Sequence, residues 1–169
     1  LGTKMTKNPP SSTAIHPLAR FAAELRWQDV PEPVQRRAED LWVDWFGSVL
    51  AGCKARPVAS ITRFALSQGA AQGPCEILGR ADTSSPMMAA LANAAASHVA
   101  EQDDVHNGSV FHPAAVVFPP ALAVAQSIGA SGAELMAACV AGSCVAFAHS
   151  SLPSFCFWYS LFAYRAAAA

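Results

Sequence analysis

Apolar residues return every three or four positions along most of this chain, and polar breaks cut the pattern into helix-sized pieces. Ile15, Leu18, Phe21, Ala22 and Leu25 predict an amphipathic helix ending near Trp27. Asp29-Val30-Pro31-Glu32-Pro33 reads as a turn. Val34, Ala38, Leu41, Trp45 and Val49 then line one face of a second helix, which Gly52 stops. Val58 to Leu66 predicts a third helix, and the stretch from Gln68-Gly69 to Gly73-Pro74 a loop. Cys75-Glu76-Ile77-Leu78-Gly79 is the only plausible strand, and a short one.

Ser85-Pro86 looks like an N-cap followed by proline at the first helical position. The helix it opens, Met87 to about Ala100, is made almost entirely of small apolar residues and is expected to be buried on most sides. It delivers Glu101 to Asp104 at its C-terminal end, where the helix dipole disfavours a carboxylate by roughly 0.3–1 kcal/mol. That adverse placement points to function rather than stability. His112-Pro113 repeats the cap-then-proline pattern, and Val116, Val117, Leu122, Val124 and Ile128 mark a further buried segment, which Pro119-Pro120 must break or kink. Gly129 ends it. Ser131-x-x-Glu134 is a capping box opening the last clear helix, Leu135 to about Ala141. There is no internal repeat, heptad seam or Gly-rich phosphate loop. The fold class is all-α, with at most one short strand near residues 75–79.

Composition narrows the function classes. A chain of 169 residues can bury a core and forms one domain or part of a larger one. A net charge of −1 gives no electrostatic argument for nucleic acid, and Arg20, Arg26, Arg36, Arg37 and Arg63 are interspersed with acids on solvated helix faces. The odd count of five cysteines, with no CxxC pair, reads as buried thiols in a reducing compartment, hence cytoplasmic, rather than a disulfide frame or a zinc site. No secretory h-region is present. Residues 1–13, polar and including Pro9-Pro10-Ser11-Ser12, are expected to be disordered, with Met5 a candidate native start.

Only 14% of the residues are charged, yet Glu101, Asp103, Asp104, His106 and His112 crowd between two apolar helices. Charge beside burial costs several kcal/mol unless it is paired or used. Three chemistries fit. Adjacent carboxylates near an imidazole can divide acid and base roles. The same residues could bind a metal, although neither HxH nor HExxH spacing occurs. They could also form a helix-terminal salt-bridge knot. Asp44, between Trp42 and Trp45, is read as a solvated or capping carboxylate, His98 as a satisfied core histidine, and His16 and His149 as incidental.

Glu101-Gln102-Asp103-Asp104-Val105-His106, followed by Phe111-His112-Pro113-Ala114-Ala115-Val116-Val117-Phe118-Pro119-Pro120-Ala121-Leu122-Ala123, resembles the MmgE/PrpD family. That family includes 2-methylcitrate dehydratase, cis-aconitate decarboxylase and iminodisuccinate epimerase. Leu18-Ala19-Arg20-Phe21 with Val30-Pro31, the second-helix set Ala38, Leu41, Asp44, Gly47, Leu50, Ala51 and Gly52, the run Ala89 to Asn93, and Ser131-Gly132 with Glu134-Leu135 extend the resemblance from about His16 to Gly142. It implies the N-terminal part of a helical domain that in full-length members carries a separate α+β domain after this region. It also implies metal-free acid–base chemistry on a small di- or tricarboxylate in a homodimer. No cofactor is expected, and the charge balance and the tail's composition lead to no expected nucleic-acid or membrane partner. Glu101, Asp104, His106 and His112 fall in the family's active-site segment. His112 is the expected proton-transfer group, with Asp103 or Asp104 orienting it.

After Gly142 the resemblance stops. Ser143-Cys144 stands where the family continues with Gly-Tyr-Glu, and an apolar string from Phe147 to Tyr164 follows, whose Pro153, His149 and serines make a poor membrane helix. The expected organisation is a disordered segment 1–13, a partial helical domain 14–142 and a divergent tail 143–169, for which a frameshift is one reading. The chain therefore reads as a fragment of a dehydratase-like lyase, inactive alone. The alternatives are decarboxylase or epimerase chemistry, or a non-catalytic remnant.

Overall fold

The computed structural model describes residues 15–150, except 71 and 108–110. Six helices carry the fold of the described residues: α1 (Ile15–Glu24), α2 (Glu32–Gly52), α3 (Arg56–Gln68), α4 (Pro86–His98), α5 (Pro113–Ile128) and α6 (Gly132–Ser150). A single 3-10 turn, Trp27–Asp29, joins α1 to α2. The two-residue strands β1 (Cys75–Glu76) and β2 (Thr83–Ser84) pair antiparallel, Cys75 opposite Ser84 and Glu76 opposite Thr83. The all-α class expected from the apolar periodicity is what the chain adopts. Its short strand gains a second one, which no alternation in the sequence had marked.

α4 is the centre, packed against α2, α3 and α5. Its alanines let three neighbours approach at once, and Ala89, Ala92, Asn93, Ala96 and Ser97 are buried. Where α2 ends against α4, a methyl built on Gly52 would run into the Ala96 carbonyl oxygen. Close approach, rather than a left-handed cap, is what requires glycine there. One hydrophobic cluster gathers Trp45, Val49, Cys53, Val58, Ala96, Ala114, Phe118 and Cys139, with Trp45 and Phe118 edge to face at 5.8 Å. Asn93 ties the hairpin to α4: its Nδ2 donates to the Glu76 carbonyl and its Oδ1 accepts from the Leu78 N–H, both at 2.9 Å.

Several local expectations are corrected. α1 stops at Glu24 and α4 at His98, each short of its predicted end. α5 runs unbroken through Pro119 and Pro120. Two adjacent prolines remove two helix donors, but Pro119 is wholly buried, and packing rather than propensity sustains such a helix. The burial stripe of α5 also differs. Ala114, Ala115, Phe118, Ala123 and Ala125 face the core, while Val116, Val124 and Ile128 are exposed. Small residues win the interface because α4 lies close. α6 continues past Ala141 to Ser150, with Gly142 set directly against Val117 of α5.

The capping box at the start of α6 forms as read: the Ser131 N–H donates to Glu134 Oε2 at 2.7 Å, and the Glu134 N–H donates to Ser131 Oγ at 3.3 Å. The Ser131 N–H and the Ser131 hydroxyl, which both donate to its carboxylate, hold the Glu134 carboxyl below its ordinary pKa. Gly129 closes α5 in the left-handed region, with φ 68°. Cys53, Cys75, Cys139 and Cys144 are free thiols. Burial pushes Cys139 up to about 12 and Cys144 to about 11, which keeps both protonated and unreactive. No helix among the described residues is long and apolar enough to cross a membrane. The expectations for residues 1–13, for Cys156 and for most of the apolar tail lie outside the described residues.

Candidate active site

α4 ends one turn before the charged segment. The Val99 N–H still bonds back to the Ala95 carbonyl, and the Glu101 N–H to that of His98. Glu101 then takes φ 49°, the left-handed region that costs a non-glycine residue about 1 kcal/mol or more. This turn sends Asp103 inward, with its side chain fully shielded from solvent. His106 pairs with Phe111 through backbone hydrogen bonds in both directions, at 2.7 and 3.4 Å, and returns the chain to the start of α5.

Three side chains converge. Asp103 Oδ2 lies 3.1 Å from His98 Nδ1 and 3.4 Å from His112 Nδ1. The two imidazoles meet edge to face, with ring centroids 4.8 Å apart. Asp103 Oδ1 and His112 Nδ1 are buried and have no hydrogen-bond partner among the described residues. The His112 side chain is 29% exposed, so a ring that touches a buried carboxylate also reaches the surface.

Asp104 does a different job. Its Oδ1 accepts the backbone N–H of Ala114 in the first turn of α5, at 2.9 Å. His112 occupies the N-cap position, but its ring makes no cap hydrogen bond. The expectation that these carboxylates suffer at a helix C-terminus is therefore corrected for Asp104, which sits at a helix N-terminus, where a negative charge is favoured. Burial nonetheless pushes its carboxyl above the ordinary value. The Ala114 bond opposes that shift, the Asp103 charge adds to it, His112 opposes it and Asp44 adds to it. Asp44 is thus exposed, as read, and close enough to be felt at the site.

Of the five residues singled out from sequence, Asp103, Asp104 and His112 come together. His106 instead lays its ring against Phe147 of α6, with centroids 4.9 Å apart. Glu101 is exposed and is not one of the three converging side chains. His98 joins Asp103 and His112, which its place on an alanine-rich helix did not signal. It is no core histidine: its side chain is 54% exposed and its Nδ1 is bound to Asp103. A histidine in the last turn of a helix, five residues before an aspartate, was the available signal, but that interval matches no helical period. The ligand atoms of His98, Asp103 and His112 lie within 4.8 Å of one another, a spacing that could also hold a metal ion.

The MmgE/PrpD N-terminal domain family matches residues 16–150, past Gly142 to the end of α6. The chain is similar to two cis-aconitate decarboxylase sequences from Aspergillus terreus, each 26% identical over 132 residues, or 76% of this chain and 27% of the relative. It thus spans about a quarter of the length of the curated relatives it matches. No solved structure matches it.

Proposed function

The chain belongs to the MmgE/PrpD family, and from that premise we propose that it carries a proton-transfer site for small di- or tricarboxylates, with His112 as the group that moves the proton. The observation that carries this reading is the partly open His112 ring set against the wholly buried carboxylate of Asp103. A carboxylate at Nδ1 favours the tautomer with its proton there, which leaves the Nε2 lone pair free to accept one. Asp103 then stabilises the positive charge that the ring acquires. Asp104, by capping α5, fixes the backbone from which His112 projects.

In a dehydratase, His112 would take the proton alpha to a carboxylate as the neighbouring hydroxyl leaves with a proton, so that C–H and C–O bonds break, a C=C bond forms and water departs. In a decarboxylase, a C–C bond breaks, carbon dioxide leaves without the bonding pair, and the carbon that keeps the pair takes a proton from an imidazolium. Similarity to cis-aconitate decarboxylases supports the second reaction over 2-methylcitrate dehydration. Assay of the natural protein containing this sequence separates them: carbon dioxide released from cis-aconitate, or water lost from 2-methylcitrate. Turnover of neither would set both aside.

Binding such a substrate calls for several Arg or Lys donors, and no Arg or Lys occurs between Ala81 and Tyr164. The cations would come from other parts of the whole protein or from a second copy in a homodimer. Free buried thiols support a reducing, cytoplasmic location.

A metal centre is the second reading, favoured by the convergence of His98, Asp103 and His112 and by the unpartnered Asp103 Oδ1. Chelation distinguishes the two. The acid–base reading expects activity to survive, whereas loss on chelation with recovery on adding a divalent ion would assign the three side chains to a metal.

A further inference from the structure

We infer that His98 tunes the tautomer of His112 by competing with it for the carboxylate oxygen that the two histidines share; this rests on His112 being the proton-transfer group. Both Nδ1 atoms face Asp103 Oδ2, but only the His98 contact, at 3.1 Å, has hydrogen-bond geometry. The 3.4 Å approach of His112 leaves its Nδ1 without a hydrogen bond among the described residues. A carboxylate removed from solvent has to be held by donors. For Asp103 the described donor is His98, which therefore sets the plane of the carboxylate and the share of Oδ2 left for His112.

His98 is not there to fill space. More than half of its side chain remains in solvent, so replacing it leaves no core cavity of the kind that destabilises a fold. Its position on the last turn of α4 is rigid, because α4 is packed by three other helices. Asp103, by contrast, lies on the loop that links α4 to α5, and His112 closes that loop as the N-cap of α5. A donor fixed to the helix thus registers the carboxylate on that loop against the ring that opens the next helix. Removing the His98 donor would leave Oδ2 to His112 alone, and the carboxylate would turn to take the His112 Nδ1–H.

The test is the tautomer of His112, read from the nitrogen shifts of its ring by NMR of the 169-residue chain at a pH where the ring is neutral. His98→Phe keeps a ring against His112 but removes the donor; His98→Asn restores a donor near the Nδ1 position and removes the ring. The expected result is a shift of the tautomer balance toward Nδ1–H in His98→Phe and wild-type balance in His98→Asn. If His98→Phe does not fold, His98→Ala gives the same reading. An unchanged balance in the donor-free variant, or equal changes in the donor-free variant and His98→Asn, overturns the inference. Neither outcome touches the role of His112 itself, which stands or falls on turnover after His112 is replaced.

Discussion

Asp104 Oδ1 accepts the backbone N–H of Ala114 at 2.9 Å, so a carboxylate ten residues upstream caps the helix that begins at His112–Pro113. Proline at the first position has no N–H to offer, and the next donor in the turn is Ala114. The cap thus couples the charged loop to the helix that carries His112.

Asp104→Ala removes this cap and is expected to cost about 1 kcal/mol, the usual worth of a side-chain N-cap. Asp104→Asn keeps a capping oxygen and removes the charge. Burial raises the folded-state pKa of Asp104 above its ordinary value of 3.8. The unfolded chain therefore loses this proton first, and the contribution of Asp104 to stability falls as pH rises from 3.8 through the folded-state value. Urea melts across that window should show wild type losing ground to Asp104→Asn as pH increases. The opposite trend would mean that the Ala114 bond outweighs burial.

Gly52 and Gly47 lie on the same helix and should respond oppositely to alanine. At Gly52 a methyl meets the Ala96 carbonyl and lies 2.6 Å from Val99 Cγ1, so Gly52→Ala should destabilise by about 1–3 kcal/mol through overpacking. At Gly47 no described residue lies within 4 Å of the added methyl, and Gly47→Ala should stabilise α2 by about 0.5–1 kcal/mol. Denaturant midpoints of the two variants check the close contact between α2 and α4.

The 169 residues alone should neither bind nor turn over a citrate-like acid. Such a ligand carries about three negative charges at neutral pH, while the site offers carboxylates and histidines. Calorimetric titration with cis-aconitate is expected to give no heat above dilution. Saturable binding that His112→Ala abolishes would show that this chain supplies its own anion contacts.

Much of this architecture is legible in the residues, because caps and periodicity are local. The Ser131–Glu134 box, the glycine stop at Gly129 and the buried line Ala38, Trp45 and Val49 are all written within a few positions of where they act. What could not be read depends on partners distant in sequence. α5 survives Pro119-Pro120 because of the helices around it, and β2 exists only opposite β1. The charged segment announced itself by composition, yet which of its members meet was set by the turn at Glu101. That turn sends Asp103 inward to His98 and His112 and leaves His106 on Phe147.

The most direct measurement is the turnover of cis-aconitate and 2-methylcitrate by the natural protein containing this sequence, before and after His112→Ala. Loss of ~10²–10⁴ in kcat with the fold retained is the predicted result, the usual worth of a general acid–base group. Activity within about a factor of two of the parent, far below the contribution of such a group, would remove His112 from the mechanism and contradict the account.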